Sequence, residues 1–200
     1  MTRDLIVKTA LKLFLQKGFY NVSMNMVAAE VGISKPAIYH HFGSKDAMVE
    51  GVLDYFTERM KIWSKEYYSN LDSGIDFIER MFKAISIYKD VETVLLDETA
   101  ESYPYSYNDL LMILSKYKPA FRNRIAQDLK KVHNVLTQQI AEAQTAGLIR
   151  SDIQPSAVAT MIHTIVEGAA FICEIDSDLA VEKVSEETLI LMQKFLEKRS

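Results

Sequence analysis

Apolar residues recur at helical spacing from the start of the chain. Leu5, Ile6, Ala10, Leu13 and Phe14 form a stripe that stops at Lys17-Gly18, a basic last turn followed by a residue that tolerates a left-handed cap. Ser23 is a good N-cap, and Met24, Val27, Ala28 and Val31 predict a second helix of about two turns that ends at Gly32. Ser34 can cap a third helix with Pro36 in its first turn, where the missing N–H is no loss. That helix ends near His41, because Gly43 follows and Ser44 opens a new cap. From Lys45, the positions Met48, Val52, Tyr55, Phe56, Met60 and Trp63 predict one long helix that frays near Ser69-Asn70. It is expected to be the only rigid link from the small N-terminal part to the rest.

Residues 74 to 89, 93 to 101 and 106 to 117 predict further helices. Pro119 then opens a long one whose stripe is Ile125, Leu129, Val132, Leu136, Ile140 and Ala143, stopped by Ala146-Gly147. Segments 154 to 174 and 184 to 198 complete the pattern. With 7 Gly and 4 Pro in 200 residues, the chain lacks the punctuation that many short strands would need. No strand alternation, internal repeat or low-complexity tract interrupts it. The expected fold class is all-α with about nine helices: a three-helix helix-turn-helix domain over 1–47 and a larger helical domain over 48–200.

An apolar fraction of 48% and a charged fraction of 25% are those of an ordinary globular protein. Cys173 is the only cysteine, so no intramolecular disulfide can form, and the start MTRDLIVKTALKLF has no secretory pattern; both fit a reducing cytoplasm. The most apolar run, AVATMIHTIVEGAAFICEI, is interrupted by His163 and Glu167, and no membrane span is expected. The net charge of -4 conceals an asymmetry: residues 1 to 48 hold six basic against three acidic groups, a net of +3, which leaves -7 for the remainder. A phosphate-rich partner would meet the N-terminal quarter and be repelled elsewhere.

That quarter contains GISKPAIYHHFGSKD, from Gly32 to Asp46. Two short helices joined through Gly32 match a helix-turn-helix, whose second helix enters the major groove and reads base edges with its N-terminal residues. Those residues are Lys35 and Ala37, with His40 one turn on. Lys35 can donate to guanine O6 and N7, and the Ala37 methyl can pack on a thymine methyl. Ser34 and Pro36 set the helix start. Tyr39 and His41, with Lys45 and the Ser44 amide at the next helix start, are assigned to phosphates, which set register without reading sequence. Ile38 and Phe42 face inward. Adjacent His40 and His41 face different ways, so one of the two is expected only to pack.

The runs TRDLIVKTALKLFLQKGF and VSMNMVAAEVGISKPAIYHHFGSKDAMV resemble the N-terminal domain of Tet repressor-like (TetR/AcrR) transcriptional regulators over about residues 3 to 50. The resemblance rests on the succession helix, Gly-aromatic, Ser cap, Gly-Ile-Ser, Tyr, His-Phe and Ser-Lys. It implies that Ser23 and Asn25 at the start of the second helix also face DNA. Two positions depart from the pattern: Val22 stands where a second Ser/Thr is usual, and Asn25 where a basic residue is common, so Lys35, Tyr39 and Lys45 carry more of the affinity. The resemblance further implies a double-stranded operator as partner, a homodimer, and a C-terminal domain that senses a small organic effector.

Trp63, Tyr67, Met81, Tyr88, Tyr103, Tyr107, Met112, Tyr117 and Leu136 are candidate walls for an amphipathic effector, although each alone reads as core. Ala157, Thr160, Thr164, Gly168 and Phe171 share one face of a helix that is apolar on two sides, and Leu189, Met192, Phe195 and Leu196 extend it from the final helix. These are the candidate dimer interface. His163, Glu167, His133 and Glu142 lack the dense spacing of a metal motif, and no metal or cofactor is expected. There is no Gly-rich phosphate loop and no nucleophile with its base in local sequence, so an enzyme is not expected. The reading is a ligand-responsive repressor; the alternative is a helical scaffold or adaptor.

Overall fold

The computed structural model describes residues 3–67, 74–87, 91–96, 103–176 and 178–198. Among the described residues the chain forms α1 (Arg3–Lys17), a 3-10 turn (Phe19–Asn21), α2 (Met24–Val31), α3 (Lys35–His41), α4 (Lys45–Tyr67), α5 (Gly74–Ile87), α6 (Val91–Leu96), α7 (Tyr107–Tyr117), α8 (Pro119–Thr145), α9 (Pro155–Ile175) and α10 (Val181–Leu196), with no strand. These ten helices fall into two compact units: Met1–Lys65 with Val91–Arg122, and Glu66–Asp90 with Asn123–Ser200.

In the first unit, α1 is surrounded. Ile6, Val7, Ala10, Leu11, Phe14 and Leu15 are buried, as are Val27 and Ala28 of α2, Ile38 of α3 and Met48, Val49, Val52 and Phe56 of α4. Val22, where a polar residue was the family pattern, is buried too, so its departure serves the core. Leu110 and Leu114 of α7 and Phe121 of α8 belong to the same unit, and the Tyr107 ring stacks on Phe56 at 5.3 Å between centroids. Two side chains of α4 cap the end of α6: the Tyr55 hydroxyl donates to the Leu95 carbonyl at 2.9 Å, and Arg59 donates twice to Val94 at 2.8 and 3.1 Å. Residues 1–47 also bond to the chain beyond α4, where Tyr105 N donates to the Leu15 carbonyl, so α4 is not their only connection. The first turn of α8, as far as Arg122, belongs to this unit and the rest of the helix to the second.

Three C-terminal carbonyls of α1 have donors from beyond the helix. Gly18 N donates to Phe14 at 2.9 Å, Tyr105 N to Leu15 at 3.1 Å, and the Asn21 amide to Lys17 at 2.8 Å. Gly18 does not take the left-handed helical cap expected of it; at φ 80 and ψ 143 it lies in an extended positive-φ region that feeds the 3-10 turn. A Cβ there would stand 2.7 Å from the Tyr105 ring. Gly32 does take the left-handed cap, at φ 76 and ψ 32.

The second unit is built on α5, α8, α9 and α10. Phe77, Ile78, Met81 and Phe82 of α5 meet Leu136, Ile140 and Ala143 of α8, Val158, Ala159, Ile162 and Val166 of α9, and Val181, Met192 and Leu196 of α10. Ser185, a buried hydroxyl, donates to the Phe82 carbonyl at 2.7 Å and so ties α10 to α5 without an orphaned polar group. The α8 stripe is buried only from Leu136 onward; Leu129 and Val132, expected to continue it, are exposed because no described element of the unit covers that half. α9 has the length and apolarity of a membrane span, with a third of its most apolar window buried.

Gly18→Ala is expected to destabilise the chain by roughly 1–3 kcal/mol, from the positive φ and the Tyr105 clash together. Gly43→Ala, with nothing within 4 Å of its added Cβ, is expected to change stability by under about 1 kcal/mol. Leu136→Ala opens the second core and is expected to cost about 2–5 kcal/mol. Urea unfolding monitored by circular dichroism checks all three.

Candidate nucleic-acid interface

Three serines start the three helices that form and follow the turn. Ser23 Oγ accepts from Met26 N at 3.3 Å, Ser34 Oγ from Ala37 N at 3.3 Å, and Ser44 Oγ from Ala47 N at 3.1 Å. Each thereby satisfies one N–H of its helix's first turn. α2 ends at Gly32, whose N–H bonds back to Ala29 at 3.2 Å, while Ile33 N reaches Ala28 at 2.9 Å. This closing pattern turns the chain into α3 within two residues.

α3 buries one side chain, Ile38, and Phe42 beyond its end is buried as well. Lys35, Pro36, His40 and His41 are exposed, Ala37 is half-buried, and Tyr39 keeps 43% of its surface open. The helix thus anchors by one residue per turn and presents the rest. Neither histidine packs inward, contrary to the expectation for one of them: their rings stand edge to face at 6.0 Å, both on the solvent side, because Ile38 and Phe42 already fill the inward positions. Asn25 and Ser23 are exposed at the start of α2. The Arg3 guanidinium lies 4.8 Å from the Phe42 ring centroid, a basic group beside the end of α3 that helical periodicity does not reveal.

Lys45 is held more tightly than its assignment as a phosphate arm implies. Its Nζ donates to the Phe19 carbonyl at 3.1 Å and sits 4.8 Å from the Phe19 ring centroid, and burial lowers its pKa against the opposing effect of Asp46. An ammonium has three donors, so engagement with Phe19 orients the group and leaves donors for phosphate.

Of the candidate effector walls, Met81 and Leu136 belong to the second core, and Tyr107 stacks on Phe56 in the first unit. Met112 is 59% exposed on α7, on the side away from buried Leu110 and Leu114, and is not a wall of its unit's core. Trp63 and Tyr103 are half-buried. The side chain of Tyr67 and all of Tyr88 lie outside the described residues.

Of the candidate interface residues, Ala157, Thr160, Thr164 and Phe171 face solvent, and nothing stands within 4 Å of a Cβ built on Gly168. Met192 and Leu196 do not join them. Both are buried in the second core, since their face of α10 packs on α5 and α9. Leu189 is packed against the same core. α10 instead exposes Leu191 and Phe195, and α9 also exposes Ile172 and Ile175. His163 pairs with Glu167 on α9 at 3.6 Å, and among the described residues no three His, Cys, Asp or Glu groups are placed to share a metal ion. Burial raises the pKa of the Cys173 thiol, with Asp176 and Glu182 adding to the effect, so it is a poor nucleophile there.

Residues 6–52 match the family model for bacterial regulatory proteins of the tetR family, and residues 114–189 match the tetracyclin repressor-like C-terminal domain. The HTH-type transcriptional regulator UidR of Escherichia coli (strain K12) is 26% identical over 186 residues, covering 90% of this chain and 85% of that protein. A TetR-family regulator from Cytophaga hutchinsonii superposes with a TM-score of 0.74 at 19% identity, over 99% of this chain and 96% of the other. A TetR regulator from Haloarcula marismortui superposes with a TM-score of 0.71 at 18% identity, over 97% of both chains.

The exposure pattern of α3 separates two kinds of substitution. Lys35→Ala is expected to relax base preference at one position and weaken the preferred sequence by roughly 1–3 kcal/mol. Tyr39→Phe and Lys45→Ala are expected to weaken all duplexes about equally, and Lys45→Ala to lower the salt slope by about 1. Fluorescence anisotropy on specific and random duplexes across a salt series measures both; a uniform loss for Lys35→Ala would remove its reading role.

Proposed function

Since the chain belongs to the TetR family of helix-turn-helix transcriptional regulators, we propose that it is a ligand-responsive repressor that binds a near-palindromic operator as a homodimer. On this reading residues 1–47 are the DNA-binding domain and 48–200 the effector-binding and dimerisation domain, and the protein acts in the cytoplasm. The observation that carries DNA binding is α3: a seven-residue helix that spends one side chain, Ile38, on anchorage and leaves Lys35, Tyr39, His40 and His41 in the open. A basic N-terminal quarter on an acidic chain supports the same orientation toward phosphate.

The dimer is supported by α9, whose inner face is core and whose outer face still carries Phe171 at 55% exposure, with Ala157, Thr160, Thr164 and Gly168 small enough for close helix approach. Leu191, at 66% exposure, and Phe195 add apolar surface from α10. Glu167 and Glu174 on the exposed side of α9 suit an aqueous interface better than lipid. Two copies joined there would carry two copies of α3, which a two-half-site operator requires. The effector reading rests on the apolar and hydroxylated side chains Trp63, Tyr107 and their neighbours, and names an amphipathic organic molecule.

A gel shift with duplexes from the DNA flanking the coding region is expected to give a sequence-dependent complex; a scaffold or adaptor gives none. Sedimentation is expected to show a particle of about twice 22.8 kDa at micromolar concentration. Phe171→Arg should shift it toward monomer, and a wild-type monomer would remove the dimer. An effector found by thermal-shift screening should alter operator affinity by roughly 5- to 150-fold, and operator should alter effector affinity by the same factor. Equal effector affinity with and without saturating operator leaves a constitutive regulator.

A further inference from the structure

We propose that Tyr117 and Lys118, at the corner where α7 passes into α8, are positioning residues for DNA binding that act on the first turns of α4. This rests on the DNA-binding reading. The Tyr117 hydroxyl donates to the Asp46 carboxylate, and the Lys118 ammonium pairs with Glu50 at 3.0 Å. Asp46 and Glu50 lie one turn apart on α4, so the corner grips that helix at two successive points.

The same corner reaches the 3-10 turn. The Tyr117 ring packs edge-on against Phe19 at 4.8 Å, and the Phe19 carbonyl and ring hold the Lys45 ammonium from the other side. Tyr117, Phe19, Lys45 and Asp46 thus form a closed circuit in which the lysine assigned to phosphate is oriented by a ring that Tyr117 supports. The Asp46 hydrogen bond is the largest cause of the raised Tyr117 pKa, as expected for a hydroxyl donating to an ionised acceptor.

The circuit also manages charge. Asp46 and Glu50 are the two carboxylates closest in sequence to Lys45 on α4, and unpaired they would repel a phosphate backbone approaching within a Debye length of about 8–10 Å. The corner supplies a donor to each. Loss of the Tyr117 hydroxyl removes the hydrogen bond that holds Asp46 beside Lys45, and loss of the Lys118 ammonium leaves the Glu50 charge without its cation. Tyr117 and Lys118 stand at the last residue of α7 and the residue before α8, so both donors come from one short corner of the same unit as Asp46 and Glu50.

The test is a double-mutant cycle read by operator affinity in the full-length chain, with duplexes from the flanking DNA and a random duplex of equal length. Tyr117→Phe is expected to weaken binding to both by about 3- to 10-fold, and by less than about 2-fold in the Asp46→Ala background. It should leave the salt slope unchanged, because no phosphate contact is lost. Lys118→Met, which keeps the packing stem, should weaken binding in the same direction and carries the test if Tyr117→Phe does not fold. A Tyr117→Phe cost that is equal in both backgrounds, or absent, overturns the proposal; a salt slope lowered by about 1 makes Tyr117 a phosphate contact instead and also overturns it. If the unmodified chain binds none of these duplexes, DNA binding itself falls; if it binds and the Tyr117 and Lys118 variants match it, only the positioning role falls.

Discussion

The Phe19 side chain is the contact on which the N-terminal unit turns. It is almost wholly buried, meets Phe14 of α1 at 5.1 Å and Tyr117 at 4.8 Å, and lies under the Lys45 ammonium, while its carbonyl accepts from the same lysine. One residue in a three-residue 3-10 turn therefore joins α1, α4 and α7. Aromatic pairs in edge geometry add about 0.5–1.5 kcal/mol each beyond the area they bury, and here the added rigidity has a direction, because the atoms it restrains begin α4. Gly18 makes the turn possible by holding a positive φ beneath the Tyr105 ring.

From that anchor the exposed face of α3 follows with little further material. α2 and α3 are short, and isolated helices of this length would not persist in water. They persist because Val27, Ala28 and Ile38 enter a core already formed by α1 and α4, and because a serine accepts from one N–H in the first turn of each. Economy of anchorage is what frees the remaining side chains of α3 for a partner.

The second unit solves a different problem. α9 is apolar around most of its circumference, and only Val158, Ala159, Ile162, Val166, Ala169 and Ala170 are used inside. The apolar groups left outside, Phe171, Ile172 and Ile175 among them, are more than a lone soluble helix needs. α10 divides in the same way, with Met192 and Leu196 inward and Leu191 and Phe195 outward.

Much of this was legible from residue order. The caps at Ser23, Ser34 and Ser44, the turn at Gly32, the inward pair Ile38 and Phe42, and the start of α8 at Pro119 all follow from local rules, because capping, positive φ and helical periodicity depend on residues within a few positions of one another. What local rules could not decide is which apolar face of an element finds a partner. Met192 and Leu191 are adjacent and equally apolar, and only the packing of α10 on α5 and α9 sends one inside and leaves the other exposed. Likewise Lys45 reads in sequence as a free basic arm, and Tyr117 as a core aromatic 72 positions away. Their meeting at Phe19 was set by the return of α7 to α1, a long-range closure for which no short motif codes.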